Sequence, residues 1–194
     1  MQNTAIYLDK VEQDGLFIIV NRDKDVQDPR EFHENLGTMV CYHRRYCIGD
    51  INHGHEDPFE FRKWVTSSDD VVAYFPIYLL DHSGLTMSVN SFNDRWDSGQ
   101  IGYIYCTKEA VRNWFNIKRV TAKYVDKAKE ILLEEVKEMD NYLRNFVYYV
   151  TFGTEEEDEE SSLSNIITDD LRNVLRQELP PEYGPLINRL QDVY

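Results

Sequence analysis

Cysteine is scarce in this 194-residue sequence, which contains only Cys41, Cys47 and Cys106. Three is an odd number, and no secretory pattern accompanies them, so the sequence argues against a disulfide framework. A zinc site needs a closer cysteine pair and a second pair downstream, and no second pair is present. We therefore expect reduced thiols, with Cys41 and Cys106 buried in a hydrophobic core.

Long apolar runs are missing as well. No stretch approaches the roughly 18 to 20 apolar residues that a membrane-spanning helix requires. The first residues contain no basic region followed by an apolar segment, which is the pattern of a secretory signal. We therefore expect a cytoplasmic protein with no membrane partner.

Basic residues are fewer than acidic ones. The chain has 21 Lys and Arg against 35 Asp and Glu, a formal net charge of −14, and residues 146–194 alone contain 11 acids and 3 bases. A surface of this sign repels phosphate backbones, which disfavours direct nucleic-acid binding and favours a protein partner with a basic surface. Acidity that simply keeps the protein soluble is the plainer explanation.

Hydrophobic residues are plentiful, at 42% of the chain, and aromatic residues make up 13%. Short apolar or alternating segments predict strands at residues 5–8, 16–20, 36–46, 71–80, 85–89, 101–107 and 146–152. We expect residues 36–46 to form a central strand, and Gly84 to lie in a hairpin turn.

One helical pattern is longer than the others. After Thr121, apolar residues recur at the helical period, at Ala122, Val125, Ala128, Leu132, Val136, Met139 and Leu143. Such a stripe requires an apolar surface to pack against. The expected fold class is therefore α+β, with a mostly antiparallel sheet packed by one long amphipathic helix and a small helical C-terminal extension.

Composition changes near the end of the chain. An unbroken acidic run from Glu155 to Glu160, followed by two serines, is typical of a linker. Beyond it, Thr168 and Asp170 favour the start of a helix. We therefore expect an α+β domain over residues 1–153, an acidic linker over residues 154–167 and a helical extension over residues 168–194.

Two polar turns carry candidate catalytic groups. Asp81, His82 and Ser83 follow the most apolar strand, and Asp97 precedes a later one. A carboxylate can orient and charge an imidazole, so these residues are candidates for acid–base work or for a metal site, with Ser83 as a candidate nucleophile. Ser83 lacks the Gly-x-Ser-x-Gly context of a strained nucleophile. The plainer interpretation is that these side chains hydrogen-bond the turn backbone.

The most basic segment of the chain contains His43, Arg44 and Arg45. A planar guanidinium can bind phosphate or carboxylate through two parallel hydrogen bonds, which makes this segment a candidate binding site. The alternative is that one of the arginines pairs inside the protein with Asp50 or Asp97.

Further candidate binding residues flank Asp97, namely Trp96, Ser98 and Gln100. His53 and His55 lie two residues apart and make at best half of a metal site. No glycine-rich phosphate loop and no His-Glu-x-x-His motif is present. The sequence therefore predicts no metal ligands and identifies no cofactor.

Three segments support a resemblance: LGTMVCYHRRY with Gly49 and Asp50, PIYLLDHSGLTMS from Pro76, and WDSGQIGYIY with TKE from Trp96. Together they resemble a family of small proteins from phages and conjugative elements. The resemblance covers roughly residues 36–149, and the acidic run and the helices after it are unlike the family's usual ending. It implies an accessory protein of a mobile element in the cytoplasm of a bacterial host, and it implies no reaction.

Two functions are consistent with these patterns. The first is a phage or mobile-element accessory protein that binds a host or element protein through an acidic surface, for example to inhibit a nucleic-acid-handling or defence protein. The alternative is a hydrolase that acts on a nucleotide or nucleic acid with an Asp/His cluster. A structural virion part is less favoured, because no repeat or assembly arm is present, and no pattern indicates an oligomeric state.

Overall fold

A computed structural model of the chain describes residues 8–51, 53–154 and 160–191. It contains two antiparallel four-stranded sheets, one long helix and a short helical part near the C-terminus, which confirms the expected α+β class. The chain divides into two compact units, one formed by residues 1–27 and 145–194 and the other by residues 28–144.

The strands, in chain order, are β1 (Asp9–Gln13), β2 (Leu16–Arg22), β3 (Thr38–Cys41), β4 (Val71–Asp81), β5 (Leu85–Ser88), β6 (Ser98–Thr107), β7 (Val147–Thr154) and β8 (Ser161–Ile167). The helices are α1 (Pro29–Phe32), α2 (Pro58–Ser67), α3 (Lys108–Phe115), α4 (Ala122–Leu143), α5 (Leu171–Glu178) and α6 (Gly184–Ile187). A 3₁₀ turn over Pro181–Tyr183 lies between the last two helices.

The first unit is a sheet in the order β1-β2-β7-β8, with α5 and α6 on one face. Ile18 and Val150 from the two central strands form a hydrophobic cluster with Leu175 and Leu186 from the helices, and all four are fully buried. The expected helical extension therefore contributes to the core of this unit.

The β1–β2 hairpin follows from its turn residues. Asp14 and Gly15 have positive φ angles of 54° and 78°, as a two-residue type I′ turn requires. The turn pairs Gln13 with Leu16, so the first strand continues up to the turn. The prediction that residues 5–8 form this strand is wrong for residue 8, which precedes β1, and residues 5–7 lie outside the described residues.

Strand β8 occupies residues that the sequence assigns to the linker. Leu163 and Ile166 of β8 pack against the core of the first unit, which explains why a segment that begins with serines forms a strand. Because β8 pairs with β7, the acidic run joins two paired strands. Residues 155–159 of that run lie outside the described residues.

The second unit is a sheet in the order β3-β6-β4-β5, and α4 packs on one face. The apolar stripe of α4 makes this contact as expected, because Leu132, Val136 and Met139 form one cluster with Ile104 and Cys106 of β6. The long helix predicted to follow Thr121 is confirmed over Ala122–Leu143.

The opposite face of the same sheet is covered by α2. Phe61 and Val65 of this helix form a separate cluster with Tyr103 and Tyr105 of β6. Since Tyr103 and Tyr105 alternate along the strand with Ile104 and Cys106, the two clusters lie on opposite faces of the sheet. The second unit is therefore a sheet between two helical layers.

Strand β4 accommodates a proline inside an apolar strand. It pairs with β6 along most of its length, but with β5 only over its last residues, Tyr78 to Asp81. Pro76 precedes the part that β5 covers, and a register shift follows between Ile77 and Tyr78. Proline has no backbone N–H to donate, so it is tolerated where one side of the strand is unpaired.

Strand β3 lies at the edge of its sheet, so the expected central strand over residues 36–46 is wrong. It extends only to Cys41, because the chain then leaves the sheet and returns to form a bridge between Val40 and Gly49. β3 and β6 approach closely at Gly102, where an added Cβ would lie 1.9 Å from the carbonyl oxygen of Val40.

Candidate functional site

The two polar turns meet at one end of the second unit's sheet. β4 and β6 pair as far as Leu80 and Ser98, and the backbone N–H of Asp81 donates to the carbonyl of Asp97 at 2.8 Å. This register places the turn that follows β4 beside the residues that precede β6. We name the resulting group of side chains the polar corner: Arg45, Asp81, His82 and Asp97.

Asp97 holds the imidazole of His82. Nδ1 of His82 lies 2.9 Å from Oδ2 of Asp97, and this hydrogen bond, together with the carboxylate charge, raises the pKa of His82. Nε2 is the ring nitrogen left for another partner, and the side chain is 66% exposed. The pair can therefore exchange a proton with solvent or with a ligand.

Arg45 contacts the first polar turn, at Asp81, from another part of the chain. Its Nη2 donates to Oδ2 of Asp81, and its guanidinium carbon lies 5.5 Å from the centre of the Tyr46 ring. The alternative drawn from the sequence was that an arginine of this segment pairs with Asp50 or Asp97. The partner of Arg45 is Asp81 instead.

Asp94 shapes the approach to β6, and the sequence analysis did not single it out. Its Oδ1 accepts the backbone N–H groups of Asp97 at 2.9 Å and Trp96 at 2.8 Å, and these bonds lower the pKa of Asp94. The hydroxyl of Ser98 donates to the carbonyl of Asp94. Ser98, a predicted binding residue, therefore has its hydroxyl engaged within the loop.

The other predicted residues lie around the corner. Ser83 has a φ angle of 56° and is exposed in the β4–β5 turn. Trp96 is 95% exposed, which is unusual for a large aromatic side chain. Gln100 donates from Nε2 to the carbonyl of Gly102 at 3.3 Å. Within the described part of the chain, no hydrogen bond links these three side chains to the polar corner.

The basic segment lines a pocket of about 590 Å³, which we name the basic pocket: residues 41–51 and His53. His43 and Arg45 both lie here in a loop that follows β3, since β3 ends at Cys41. Arg44 is exposed and has no ion-pair or hydrogen-bond partner among the described residues. Its guanidinium is therefore available to an anionic group.

Two aromatic rings of this segment are parallel. The rings of His43 and Tyr46 are stacked, with centroids 5.0 Å apart and an interplanar angle of 9°. Nδ1 of His43 accepts the backbone N–H groups of Arg45 and Tyr46 at 3.4 and 3.3 Å. These bonds fix the ring orientation and leave Nε2 as the donor when the imidazole is neutral.

His53 and His55 make hydrogen bonds and aromatic contacts within the protein rather than forming a metal site. Nε2 of His55 lies 3.2 Å from the Tyr105 hydroxyl, and its ring contacts those of Phe61 and Trp64, with centroids 4.6 and 4.8 Å apart. Burial in this aromatic cluster lowers the pKa of His55. Nδ1 of His53 accepts the backbone N–H of His55 at 3.0 Å. The pair therefore supports the loop before α2.

The most completely bonded polar group was missed by sequence reasoning. Arg30, whose side chain is 2% exposed, donates to both carboxylate oxygens of Asp50 at 2.8 and 3.0 Å. It also donates to Oε2 of Glu135, to Oδ1 of Asn35 and to the carbonyl of Gly37, at 2.8, 2.9 and 2.6 Å. All five N–H donors of the guanidinium are therefore satisfied.

Glu135 completes this buried network from α4. Its Oε1 accepts the backbone N–H groups of Leu36 and Gly37 at 2.7 and 3.1 Å. An added Cβ at Gly37 would lie 2.8 Å from Oε2 of Glu135 and 2.4 Å from Leu132, so only glycine fits. The network ties α1, the segment before β3 and α4 together. A signal was present in the sequence, since Glu135 lies on the apolar stripe between Leu132 and Val136.

Residues 8–51, 53–154 and 160–191 contain no group of three or more His, Cys, Asp or Glu side chains placed to hold a metal ion. The metal site considered for the two polar turns is therefore not formed there. The same part of the chain contains no helix that is both long and apolar enough to cross a membrane.

No protein-family model, curated protein or solved structure matches the chain. The resemblance to phage and conjugative-element proteins accordingly stays a prediction. Geometry and charge are what distinguish the possible functions.

Proposed function

We propose that this protein acts by binding, and that it occupies a basic surface on a host or mobile-element protein through the acidic part of its first unit. A partner that handles nucleic acid fits best, because such proteins carry basic surfaces that attract phosphate. Occupation of that surface would inhibit the partner, as a mobile-element protein directed against a host defence protein would.

The first unit carries most of the net charge. Residues 1–27 and 145–194 contain 16 acids and 6 bases, a net charge of −10, whereas residues 28–144 contain 19 acids and 15 bases, a net charge of −4. The first unit is also the shorter of the two. Its charge is therefore a concentrated feature rather than the average acidity of the chain.

Within the first unit, two acidic connections leave the sheet at the same end. Leu16, the first residue of β2, pairs with Thr154, the last residue of β7. The β1–β2 turn and the β7–β8 connection therefore start from one edge of the strands. We name the acids of these two sequence segments the acidic end: Glu12, Asp14, Glu155, Glu156, Glu157, Asp158, Glu159 and Glu160.

Two cations contact the described part of this group. Lys10 pairs with Glu12, and Arg189 donates to the carbonyl of Glu12 at 3.1 Å and to Gln13 at 3.3 Å. The run of six acids that directly follows Thr154 in the sequence, within a unit of net charge −10, is the single observation that carries the proposal. Such a patch steers an oppositely charged partner and accelerates its association.

The experiment replaces residues 155–160 with their amides, Glu by Gln and Asp158 by Asn. The immobilised protein is incubated with extract from bacteria, and bound proteins are identified at increasing salt. We expect the wild type to retain basic proteins at low salt and to release them as the Debye length falls below about 10 Å near 0.1 M salt. The amide variant should retain few of them.

The matched control removes the same number of charges from the second unit. It replaces six exposed acids with Gln: Glu31, Glu34, Glu56, Glu60, Glu130 and Glu134. This variant should bind like the wild type. Equal loss of binding in both variants would show that only net charge matters, and a partner retained at high salt by the amide variant would refute the acidic end as the binding surface.

A hydrolase is the second candidate, and the Asp97–His82 hydrogen bond is the observation that favours it. A carboxylate on Nδ1 leaves Nε2 able to accept and return a proton, which is the requirement for a general base. Asp81 and Arg45 would then position a charged substrate beside it. The substrate class expected is a nucleotide or nucleic acid.

The hydrolase is tested with Asp97→Asn and Asp81→Ala. Both should abolish hydrolysis of a nucleotide substrate while changing the melting temperature little, because the side chains are exposed or half-exposed. A variant that loses activity and folding together would identify the residue as a structural part of the turn.

A further inference from the structure

We infer that the basic pocket binds a mononucleotide, with the phosphate on the guanidinium of Arg44 and the base against the stacked rings of His43 and Tyr46. The pocket belongs to the second unit, so this inference does not depend on the acidic end. It also requires no hydrolysis, and binding alone tests it.

The frame of the pocket is fixed before any ligand binds. Asp50 donates its backbone N–H to the carbonyl of Met39 at 2.8 Å and accepts the N–H of Met39 on its carboxylate at 2.9 Å. Gly49, with φ of 85°, lies so close that an added Cβ would be 2.6 Å from the same carbonyl oxygen. A preformed frame lowers the conformational cost of binding a ligand.

One of the cationic side chains that line the pocket, Arg44, has no anionic partner among the described residues. Asp50 is hydrogen-bonded by Arg30, which it shares with Glu135, and Arg45 is paired with Asp81. Arg44 lines the pocket without a partner among the described residues. In a chain with a net charge of −14, an uncompensated guanidinium in a pocket marks a place for one anionic group.

The aromatic pair supplies the second half of the recognition. His43 and Tyr46 are nearly parallel, and Arg45 lies over the Tyr46 ring. A flat base can extend such a stack from the His43 side, since Arg45 already lies over Tyr46, and every base has a face that can do so. Ile48 and Ile51 add apolar surface to the lining. A ligand that carries both a phosphate and a flat aromatic base matches both features of this pocket, and a nucleotide is such a ligand.

A single nucleotide fits better than a nucleic-acid strand. The pocket, at about 590 Å³, lies in the range of about 300 to 1,000 Å³ that small-molecule sites occupy. One unpaired guanidinium matches one phosphate group. A strand would bring a row of further phosphates towards a chain with a net charge of −14, which repels them.

The first test measures binding of AMP, GMP, CMP and UMP by isothermal titration calorimetry. We expect saturable binding of at least one of them, weakened about tenfold or more by Arg44→Gln, because a charge-assisted hydrogen bond to phosphate is lost. Arg119→Gln is the matched control, since Arg119 is also an exposed arginine of the second unit and does not line this pocket. It should bind like the wild type.

The second test separates the two halves of the ligand. Ribose 5-phosphate and inorganic phosphate should bind more weakly than the best nucleotide, because they lack the base. A short single-stranded oligonucleotide should bind no more tightly than that nucleotide. The inference is overturned by absence of saturable binding, by equal affinity for ribose 5-phosphate, by tighter oligonucleotide binding, or by an equal effect of Arg119→Gln.

One further variant separates this site from the proposed function. The protein with residues 155–160 changed to amides should bind the nucleotide as the wild type does. Loss of partner binding with intact nucleotide binding would support the nucleotide inference independently of the proposed function. Intact partner binding with no nucleotide binding would refute the nucleotide inference and leave the proposed function standing.

Discussion

At the residue scale, the buried pair of Arg30 and Glu135 governs the stability of the second unit. Replacing Glu135 with Ala leaves a guanidinium at 2% exposure without one of its carboxylates and leaves the N–H groups of Leu36 and Gly37 without an acceptor. We expect a loss of about 3–5 kcal/mol in the free energy of unfolding. Denaturant unfolding followed by circular dichroism measures it.

The neighbouring residue provides the control for this change. Glu134 has the same side chain on the exposed side of α4, so Glu134→Ala should change the free energy of unfolding by less than about 0.5 kcal/mol. Similar losses in the two variants would show that the Arg30 network does not depend on Glu135.

The polar corner has a pH dependence of defined sign. Asp97 raises the pKa of His82, so Asp97→Asn should lower it towards the ordinary value of about 6.5. Because the folded pKa is the higher one, the pair contributes stability below about pH 6.5, and this contribution disappears as the pH rises through the folded pKa. An NMR titration of the His82 ring protons measures the change.

Asp81→Asn is the control for the histidine titration. Asp81 pairs with Arg45 and is not among the groups that shift the pKa of His82. That variant should titrate like the wild type. An unchanged His82 titration in Asp97→Asn would contradict the role given to Asp97.

The three thiols should differ in reactivity. Burial raises the pKa of Cys41 to about 12 and that of Cys106 to about 11, and the thiolate is the reactive form. Cys47 is exposed. We expect alkylation of the native protein with iodoacetamide at neutral pH to modify Cys47 first, as read by peptide mass spectrometry, and Cys47→Ser to remove the fast phase. Fast modification of Cys41 would show that its loop opens.

Residue placement was only partly visible in the sequence. The burial expected for Cys106 follows from its strand and is confirmed, whereas Cys41 is only partly buried because β3 ends there at the sheet edge. The position of Glu135 on an apolar stripe was visible too. Its partner Arg30 lies 105 residues away, and no local pattern connects two residues at that distance.

At the element scale, local signals predict helix starts well. Pro58 begins α2, and the carboxylate of Asp57 accepts the backbone N–H groups of Phe59 and Glu60 at 2.8 and 2.9 Å. Thr121 precedes α4 as predicted, although its side chain makes no capping hydrogen bond. These features depend on residues within one turn of each other, so the sequence contains them.

The cap of α2 can be tested directly. Asp57→Ala should reduce the free energy of unfolding by about 1 kcal/mol, because two N–H groups lose their acceptor. Glu56→Ala, at the exposed residue just before it, should have little effect, and thermal unfolding compares the two. Equal melting temperatures for Asp57→Ala and the wild type would show that α2 is held by its packing on β6 alone.

Strand positions were harder to predict than helix starts. β3 was expected at the centre of a sheet because its residues are apolar, and β8 was not expected because its first residues are serines. Both outcomes depend on which other strand is available for pairing. A strand's place in a sheet is set by distant partners, and apolar content along the strand does not report it.

At the scale of the whole molecule, the pairing of β2 with β7 decides the division into two units. It joins the two ends of the chain in one sheet, with residues 28–144 forming the other unit between them. Every residue of the clusters around α4 and α2 lies within residues 28–144, and every residue of the remaining cluster lies outside that range. Each unit therefore has a core of its own.

A fragment of residues 28–144 should consequently fold by itself. It keeps both hydrophobic clusters, Asp28 still accepts the N–H of Arg30 at 2.8 Å, and the N–H of Arg144 still bonds the carbonyl of Asp140 at 2.9 Å. A unit of this size with its own core is expected to unfold cooperatively. Circular dichroism and a dispersed amide NMR spectrum measure folding.

A shorter fragment, residues 36–144, tests the reason for that result. It keeps the sheet, α2 and α4, but it lacks Arg30 and therefore leaves Glu135 and Asp50 without their shared partner. We expect it to be about 3–5 kcal/mol less stable than the longer fragment. If the longer fragment is unfolded, the second unit requires the first. If both fragments are equally stable, the Arg30 network is not what completes this core.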